Sequence, residues 1–300
     1  MKRWWIYQRE RFPLLAHGPL ILAFSASAVS YSTLLRGPGS APAFISFVVA
    51  FLVSLGSFLL LRIADEFKDK EEDARYRPYR PVPRGLVQLH ELAWIGAGVA
   101  VLQLLLALQI GWPLVGLLVV TWIYFALMSR EFFVREWLKA RPVIYLFSHM
   151  AIMPLVDWFA TGCDWVQAGG RMPPGLFWFL AASFFNGIVI ELGRKIRAPG
   201  NEEHGVETYS FLWGPQVAVS AWIAAMVATF TCAGYAARRI GFTVPLSAAL
   251  GLCLAAALAT GLVFLRSPQK RTAQAIEALS GVWTLALYLM LGVIPLWAKT

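Results

Sequence analysis

The chain has 300 residues, of which 58% are hydrophobic and only 14% are charged. A soluble domain carries about 25% charged residues, so the composition excludes an ordinary water-soluble protein and favours a polytopic helical membrane protein. The net charge of +9 does not indicate a nucleic-acid partner, because the cations are distributed as in a membrane topology. The alternating strands of about 10 residues that build a membrane barrel are also absent from the sequence.

Nine apolar runs are long enough to cross a bilayer, which takes about 20 helical residues. In chain order they are Pro13–Leu34, Phe44–Ile63, His90–Ile110, Trp112–Ser129, Pro142–Thr161, Gly175–Leu192, Ser210–Ala237, Thr243–Leu265 and Ala278–Trp297. The sequence shows no internal repeat and no linker. We therefore predict an all-α, nine-helix membrane protein in which residues 1–300 form a single domain.

The loops between these runs differ sharply in positive charge. If the N-terminus is cytoplasmic, 21 of the 26 Lys and Arg residues fall on the cytoplasmic side. Cytoplasmic loops of membrane proteins carry such an excess, so we predict this orientation, with the C-terminus outside. The pair Arg238–Arg239 is the main exception. We expect a multi-pass protein of the bacterial inner (plasma) membrane, with its charged loops in the cytoplasm.

Carboxylates cluster directly after the second apolar run. Asp65, Asp69 and Asp73 are spaced so that a helix would place all three on one face, with Glu66 beside them. Like charges at this spacing repel, so a bound cation would stabilise the cluster. Magnesium prefers a few carboxylates together with substrate phosphate oxygens. The spacing therefore indicates a face that holds Mg²⁺ against a diphosphate.

A proline-rich segment, R-Y-R-P-Y-R-P-V-P-R-G, follows the acids and presents Arg77, Arg80 and Arg84. Its prolines and glycine predict a rigid segment that is not helical. The fork of a guanidinium fits phosphate oxygens, so arginines here suit a bound diphosphate. The spacing alone leaves open a second interpretation, in which neighbouring cations neutralise the acids on a solvated helix.

The stretch from Asp65 to Gly85 resembles the first signature of the UbiA-type intramembrane prenyltransferase superfamily. It reads D-E-x-x-D-x-x-x-D followed by R-P-x-P-x-G, where the family has N-D-x-x-D-x-x-x-D and R-P-x-P-x-G. A second stretch, Gly205-x-x-Thr208 with Gly214, resembles the family's G-x-x-T-x-x-x-x-x-G. The resemblance implies a nine-helix bundle around a central cavity that is open to lipid.

The resemblance also implies a Mg²⁺-dependent transfer of an isoprenoid group from a prenyl diphosphate to a hydrophobic acceptor. On this basis the predicted catalytic residues are Asp65, Glu66, Asp69, Asp73 and Glu191, and the first four are also the predicted Mg²⁺ ligands. The predicted diphosphate-binding residues are Arg77, Arg80, Lys139, Arg141, Arg194, Lys195 and Arg197.

The sequence departs from the family pattern in both loops. Asp65 and Glu66 replace Asn and Asp, which keeps oxygen ligands. The second loop has Glu191 near the first expected acid, but Lys195 takes roughly the next place. Its cations either bind diphosphate in place of one metal or anchor the topology. A single Mg²⁺, a non-standard acceptor and a loss of activity also remain open.

Two rival functions follow from these departures. One is a terpene cyclase on the same scaffold, which ionises the diphosphate without an external acceptor. The other is a lipid-binding or transport protein without catalytic activity. A CDP-alcohol phosphotransferase is disfavoured, because its D-G-x-x-A-R signature is missing from the sequence.

Two ionisable residues, His149 and Asp157, lie within the fifth apolar run. Ionisable groups are costly inside a membrane and often mark functional sites. The sequence leaves open whether they line the cavity or form structural pairs.

Overall fold

The computed structural model describes residues 2–299. Within that range nine helical segments are long and apolar enough to cross a membrane, which confirms the predicted all-α, nine-span architecture. In chain order the helices are α1 (Lys2–Arg11), α2 (Leu14–Leu35), α3 (Phe44–Lys68), α4 (Lys70–Tyr76), α5 (Leu89–Ile110), α6 (Trp112–Ser129), α7 (Arg135–Lys139), α8 (Pro142–Met150), α9 (Ile152–Trp165), α10 (Leu176–Arg194), α11 (Tyr209–Trp213), α12 (Pro215–Arg239), α13 (Thr243–Arg266), α14 (Lys270–Tyr288) and α15 (Ile294–Trp297).

Four predicted spans differ from the observed helices in an informative way, three of them by an internal break or a shifted start. The fifth is divided between α8 and α9 at Ala151. The seventh begins at Pro215 rather than at Ser210, because Gly214 has a φ of +79° and separates α11 from α12. The ninth begins at Lys270 rather than at Ala278 and contains a π-helical segment, Leu289–Val293, between α14 and α15.

The second span extends further than its apolar run. We predicted its end at Ile63, but α3 continues to Lys68. Asp65 and Glu66 therefore lie on the last turn of a membrane-spanning helix rather than on a separate loop helix. This position directs acidic side chains to the end of the bundle.

The centre of the bundle is built around α2 and α10, which are the most buried spans. The π-helical segment Leu289–Val293 packs against α2 so closely that a Cβ at Gly292 would collide with the backbone of Ser27. The hydroxyl of Ser27 donates to the carbonyl of Tyr288 at 2.5 Å. Small residues allow such close contact between membrane helices, so the first and last spans are adjacent.

The charged loops meet at one end of this bundle. The phenol of Tyr79, after α4, donates to Glu203 at 3.1 Å, and the rings of Tyr76 and His204 lie 5.6 Å apart. At the opposite end, Arg36 pairs with Asp164 at 2.8 Å and Lys299 donates to the carbonyl of Ile240 at 2.6 Å. The two loops that carry the predicted site residues are thus neighbours.

Candidate functional site

The acidic stretch bends at Asp69, which separates α3 from α4 with φ −93° and ψ 10°. Helical hydrogen bonding nevertheless continues, since Asp69 N donates to Asp65 O at 2.9 Å and Asp73 N donates to Asp69 O at 2.7 Å. The three aspartates are therefore divided between two helices that share one hydrogen-bonded path. The expected single helical face is interrupted at its centre.

Asp73 is bound by two arginines of the proline-rich segment. Its carboxylate lies 3.0 Å from Arg77 Nε and 2.7 Å from Arg80 Nη1, and the residue is only 2% exposed. Two predicted diphosphate-binding residues are thus paired with a predicted metal ligand. This pairing holds the segment against the end of the bundle.

Glu66 is bound by Arg11 of α1 in a buried ion pair. Glu66 is 1% exposed and Arg11 is 9% exposed, so both charges have been removed from water. Sequence reasoning did not identify Arg11. The available signal was its position immediately before the first span, which places it at the same end of the bundle as Glu66.

Asp65 and Asp69 are less completely paired. Asp65 lies 3.4 Å from Arg62, whereas Asp69 forms no ion pair within residues 2–299. Burial raises the pKa of Asp69, and the carboxylates of Asp65 and Asp73 add to this effect against the lowering influence of Lys68. Asp69 is therefore the carboxylate in this cluster for which a further cation would be most favourable.

The donor set fits a hydrated Mg²⁺ better than a closed metal centre. Across residues 2–299, no group of three or more His, Cys, Asp or Glu residues could hold a metal ion on its own. Magnesium usually binds through one or two carboxylates, waters and substrate phosphates. Asp65 and Asp69 meet that requirement, whereas Glu66 and Asp73 are engaged with arginines. The assignment of all four carboxylates as Mg²⁺ ligands stays a prediction.

The second loop brings its own charges to the same place. Glu191 lies 2.7 Å from Arg194 Nη2 and 2.9 Å from Lys195 Nζ. Arg194 is also an electrostatic neighbour of Asp65, so the second loop reaches the first. The Lys195 amine lies 5.6 Å from the ring centre of Tyr209. The cations that replace the expected acids therefore border the acids of α3.

The outer predicted cations have other partners. Arg197 pairs with Glu203 at 2.9 Å, and Lys139 pairs with Glu72 at 2.5 Å. The hydrogen bond to Lys139 is the largest cause of the lowered pKa of Glu72. Arg141 lies 4.5 Å from the ring centre of Trp137 and donates to its carbonyl. Of these cations, Lys139 borders an open cleft beside α4.

A small cavity lies directly behind the acidic end of α3. It is lined by Leu61, Asp65, Lys68, Phe125, Ser129 and His149, among others. The Lys68 amine bonds the Tyr145 phenol at 2.9 Å and lies 3.7 Å from Glu131. Neither Tyr145 nor Glu131 was predicted as a site residue, because no spacing in the sequence relates either of them to the acidic stretch.

Glu131 lies on an unusual turn that precedes α7. Residues Glu131, Phe132 and Phe133 have φ values of +49°, +53° and +61°. Such left-handed backbone is unfavourable for residues with a side chain. The turn places the buried Glu131 carboxylate beside Lys68 and beside Arg135, which lies 3.2 Å away.

Together, the nine candidate spans and the paired acidic and basic loops define a polytopic helical membrane protein with a cluster of charged side chains at one end of its bundle. The family model of the UbiA prenyltransferase family matches residues 20–285. The chain belongs to that family. A comparison with curated proteins finds no significant match.

Solved structures of the family share the fold at low sequence identity. A UbiA homologue from Aeropyrum pernix K1 in its apo form is 13% identical, with a TM-score of 0.66 over 92% of this chain and 96% of its own. A digeranylgeranylglyceryl phosphate synthase is 15% identical, with a TM-score of 0.61 over 97% of this chain and 99% of its own. A homologue from Archaeoglobus fulgidus bound to DMAPP and Mg²⁺ is 12% identical, with a TM-score of 0.56 over 93% of this chain and 98% of its own.

Proposed function

We propose that this protein is a Mg²⁺-dependent intramembrane prenyltransferase that moves an isoprenoid group from a prenyl diphosphate to a hydrophobic acceptor. The observation that carries the proposal is Asp69, a half-buried carboxylate without an ion pair in the described chain. It lies one helical turn after Asp65, which has the second-loop Arg194 as an electrostatic neighbour. Family membership supports the transferase class, and the DMAPP- and Mg²⁺-bound homologue supports this choice of donor and metal.

The charges of this chain suit a leaving diphosphate. Asp65 and Asp69 would hold Mg²⁺, which when bound supplies positive charge to the departing phosphate oxygens. Lys195 and Arg194 would contact the same oxygens, and preorganised charges of this kind stabilise a developing anion. The apolar spans exclude water from the allylic carbon, which protects the prenyl group from hydrolysis.

The proposal includes a location. The acidic end of the bundle faces the cytoplasm of a bacterial inner membrane, and residues 1–300 act as one domain. The excess of Lys and Arg at this end supports that orientation. The donor would enter with its diphosphate at the cytoplasmic surface and its chain among the helices.

The test compares Asp69→Ala with Glu71→Ala in the full-length protein in detergent. Glu71 is an exposed acid on the same stretch, which makes it a matched control. We expect Asp69→Ala to lower Mg²⁺-dependent pyrophosphate release from geranylgeranyl diphosphate by about 10²-fold or more, whereas Glu71→Ala retains it. No pyrophosphate release from the wild-type protein would instead indicate a binding or transport protein. Release with a cyclic product and no acceptor would indicate a cyclase.

The raised pKa of Asp69 also predicts how the thermal stability of the variant Asp69→Asn depends on pH. The folded protein holds this proton more tightly than the unfolded chain, so stability is greatest below the ordinary carboxyl pKa of about 4. This contribution of protonated Asp69 to the free energy of unfolding is lost as the pH rises through the raised pKa. Without Mg²⁺, the melting temperature of Asp69→Asn relative to wild type should therefore be higher at pH 7 than at pH 4. An equal difference at both pH values would contradict a raised pKa.

A further inference from the structure

The orientation of His149 is fixed by its backbone surroundings. His149 Nδ1 lies 2.9 Å from the carbonyl oxygen of Tyr145, which can only accept a hydrogen bond. The Ser148 hydroxyl, 3.4 Å from Nδ1, donates to the same carbonyl at 3.0 Å and so turns a lone pair toward the ring. This arrangement favours a proton on Nδ1 in the neutral ring. Nε2 is then the unprotonated nitrogen, with a lone pair available to accept a proton.

Nε2 of His149 has no partner in the described chain, although the residue is only 8% exposed. It belongs to the small cavity that Asp65, Lys68 and Ser129 also line. The cavity holds about 20 Å³, which is room for one water molecule or one hydroxyl group. A buried nitrogen without a partner is costly, so a histidine here needs a role that an apolar residue would not fill.

The neighbours of His149 connect it to the proposed diphosphate site. The Tyr145 ring stacks on the imidazole at 3.9 Å between centres, with 12° between planes, and the Tyr145 phenol is bonded by Lys68. The charged groups that act on the imidazole are Lys68, Glu191 and Asp65.

We propose that His149 Nε2 is the base that accepts the proton of the acceptor substrate during prenyl transfer. This rests on the proposed function. The C–O bond of the prenyl diphosphate breaks and its electron pair leaves with the diphosphate. A hydroxyl oxygen or aromatic carbon of the acceptor bonds to the allylic carbon, and the proton it loses passes to Nε2.

The experiment uses the full-length protein with geranylgeranyl diphosphate and two acceptor probes, phenol and n-butanol. Pyrophosphate, geranylgeranyl ether or alkylated phenol, and free geranylgeraniol are measured in the same reaction. We compare His149→Gln, His149→Ala and Ser129→Ala. Ser129 lines the same cavity but its hydroxyl donates to Phe125 O at 2.8 Å, so it controls for a changed cavity without loss of a base.

We expect both His149 variants to keep releasing pyrophosphate, while the ratio of transferred product to geranylgeraniol falls by about 10²-fold, the lower end of acid–base contributions. Added imidazole should restore the ratio in His149→Ala, and Ser129→Ala should match wild type. An unchanged ratio in His149→Gln, or geranylgeraniol as the sole product of wild type, overturns the role of His149 but leaves the proposed function standing. An absence of pyrophosphate release from wild type overturns the proposed function, and the role of His149 falls with it.

A measurement that needs no turnover completes the test. In protein labelled with ¹⁵N-histidine, with His149→Gln used for assignment, the nitrogen spectrum reports which ring nitrogen carries the proton. The proposal requires protonated Nδ1 and unprotonated Nε2 at neutral pH. Finding the proton on Nε2 would overturn it even if prenyl transfer is observed.

Discussion

Individual charges at the loop end of the bundle are matched to individual partners. Arginines or lysines hold the carboxylates of Glu66, Asp73 and Glu191. Buried charges are tolerated only when they are compensated, and loss of one member leaves the other uncompensated. Substitutions in this cluster therefore change stability as well as chemistry. This applies to Asp73→Ala, which leaves Arg77 and Arg80 without their partner and should destabilise the fold.

The buried pair of Arg11 and Glu66 gives a direct test of this idea. Arg11→Met should destabilise the protein by about 3–5 kcal/mol, because it leaves the buried carboxylate of Glu66 without a compensating positive charge. The double variant Arg11→Met, Glu66→Met should recover most of that loss. Arg9→Met, an exposed cation of the same helix, is the control. Thermal unfolding in detergent compares wild type with these three variants and with Glu66→Met, which completes the cycle, and additive losses in the double variant would show that the pair is not coupled.

Lys195 tests the departure of the second loop from the family pattern. We predict that Lys195 contacts diphosphate where the family has an acid. Lys195→Ala should then weaken binding of a prenyl diphosphate analogue by about 10- to 150-fold, which corresponds to a lost charge-assisted contact of about 1.5–3 kcal/mol. Lys195→Asp should make binding more dependent on Mg²⁺. Calorimetric titration at several Mg²⁺ concentrations decides this, and unchanged affinity in Lys195→Ala would assign the lysine to topology anchoring.

The left-handed turn at residues 131–133 is the most unusual element of the fold. Three consecutive residues with side chains adopt positive φ, at a cost of roughly 1–2 kcal/mol each. The turn ends α6 and positions Glu131 beside Lys68. Strain of this kind persists only where surrounding contacts enforce it, and it is found most often at functional sites.

Phe133→Gly should relieve part of that strain. Phe133 is 76% exposed, so little packing is lost and glycine accepts its φ of +61° without penalty. We expect the variant to be more stable by about 1 kcal/mol. Val134→Gly is the matched control, because Val134 has a φ of −130° and glycine there should destabilise. A loss of stability in Phe133→Gly would mean that the exposed ring contributes more than the strain costs.

The spans themselves could be predicted from the sequence, because hydrophobic length alone determines them. One local break inside a span also had a sequence signal. Ala151 divides the fifth span three residues before Pro154, which cannot donate to the carbonyl of Met150 and disrupts the preceding helical turn. The break at Asp69, before α4 begins at Lys70, has no such signal, because tertiary packing overrides the intrinsic preference of a short segment.

Site residues that belong to a sequence motif could be predicted. Residues that join the site only through contacts between distant parts of the chain could not. The motif located Asp65 and Asp69 at the charged end of the bundle. It carried no information on Arg11, which is 55 residues away from its partner Glu66, or on Tyr145, which is 77 residues away from Lys68. Contacts at that separation depend on how the helices pack.

At the scale of the molecule, residues 2–299 contain nine helical segments that could cross a membrane, and an odd number of crossings predicts that the segments before the first span and after the last lie on opposite sides. Single cysteines at positions 70 and 299, in a chain without Cys163, Cys232 and Cys253, test this with a membrane-impermeant reagent. Lys70 and Lys299 are both exposed. We expect Lys70→Cys to react only from the cytoplasmic side and Lys299→Cys only from the other. Reaction of both from one side would contradict the nine-span topology.

The contact between Ser27 and the last span has a consequence for biosynthesis. Ser27 and Tyr288 are separated by 261 residues, and a ribosome adds roughly 5–20 residues per second. The last span is therefore synthesised about 13–52 s after the first. During that interval the hydroxyl of Ser27 lacks its acceptor on Tyr288, so this contact forms only after translation of the last span.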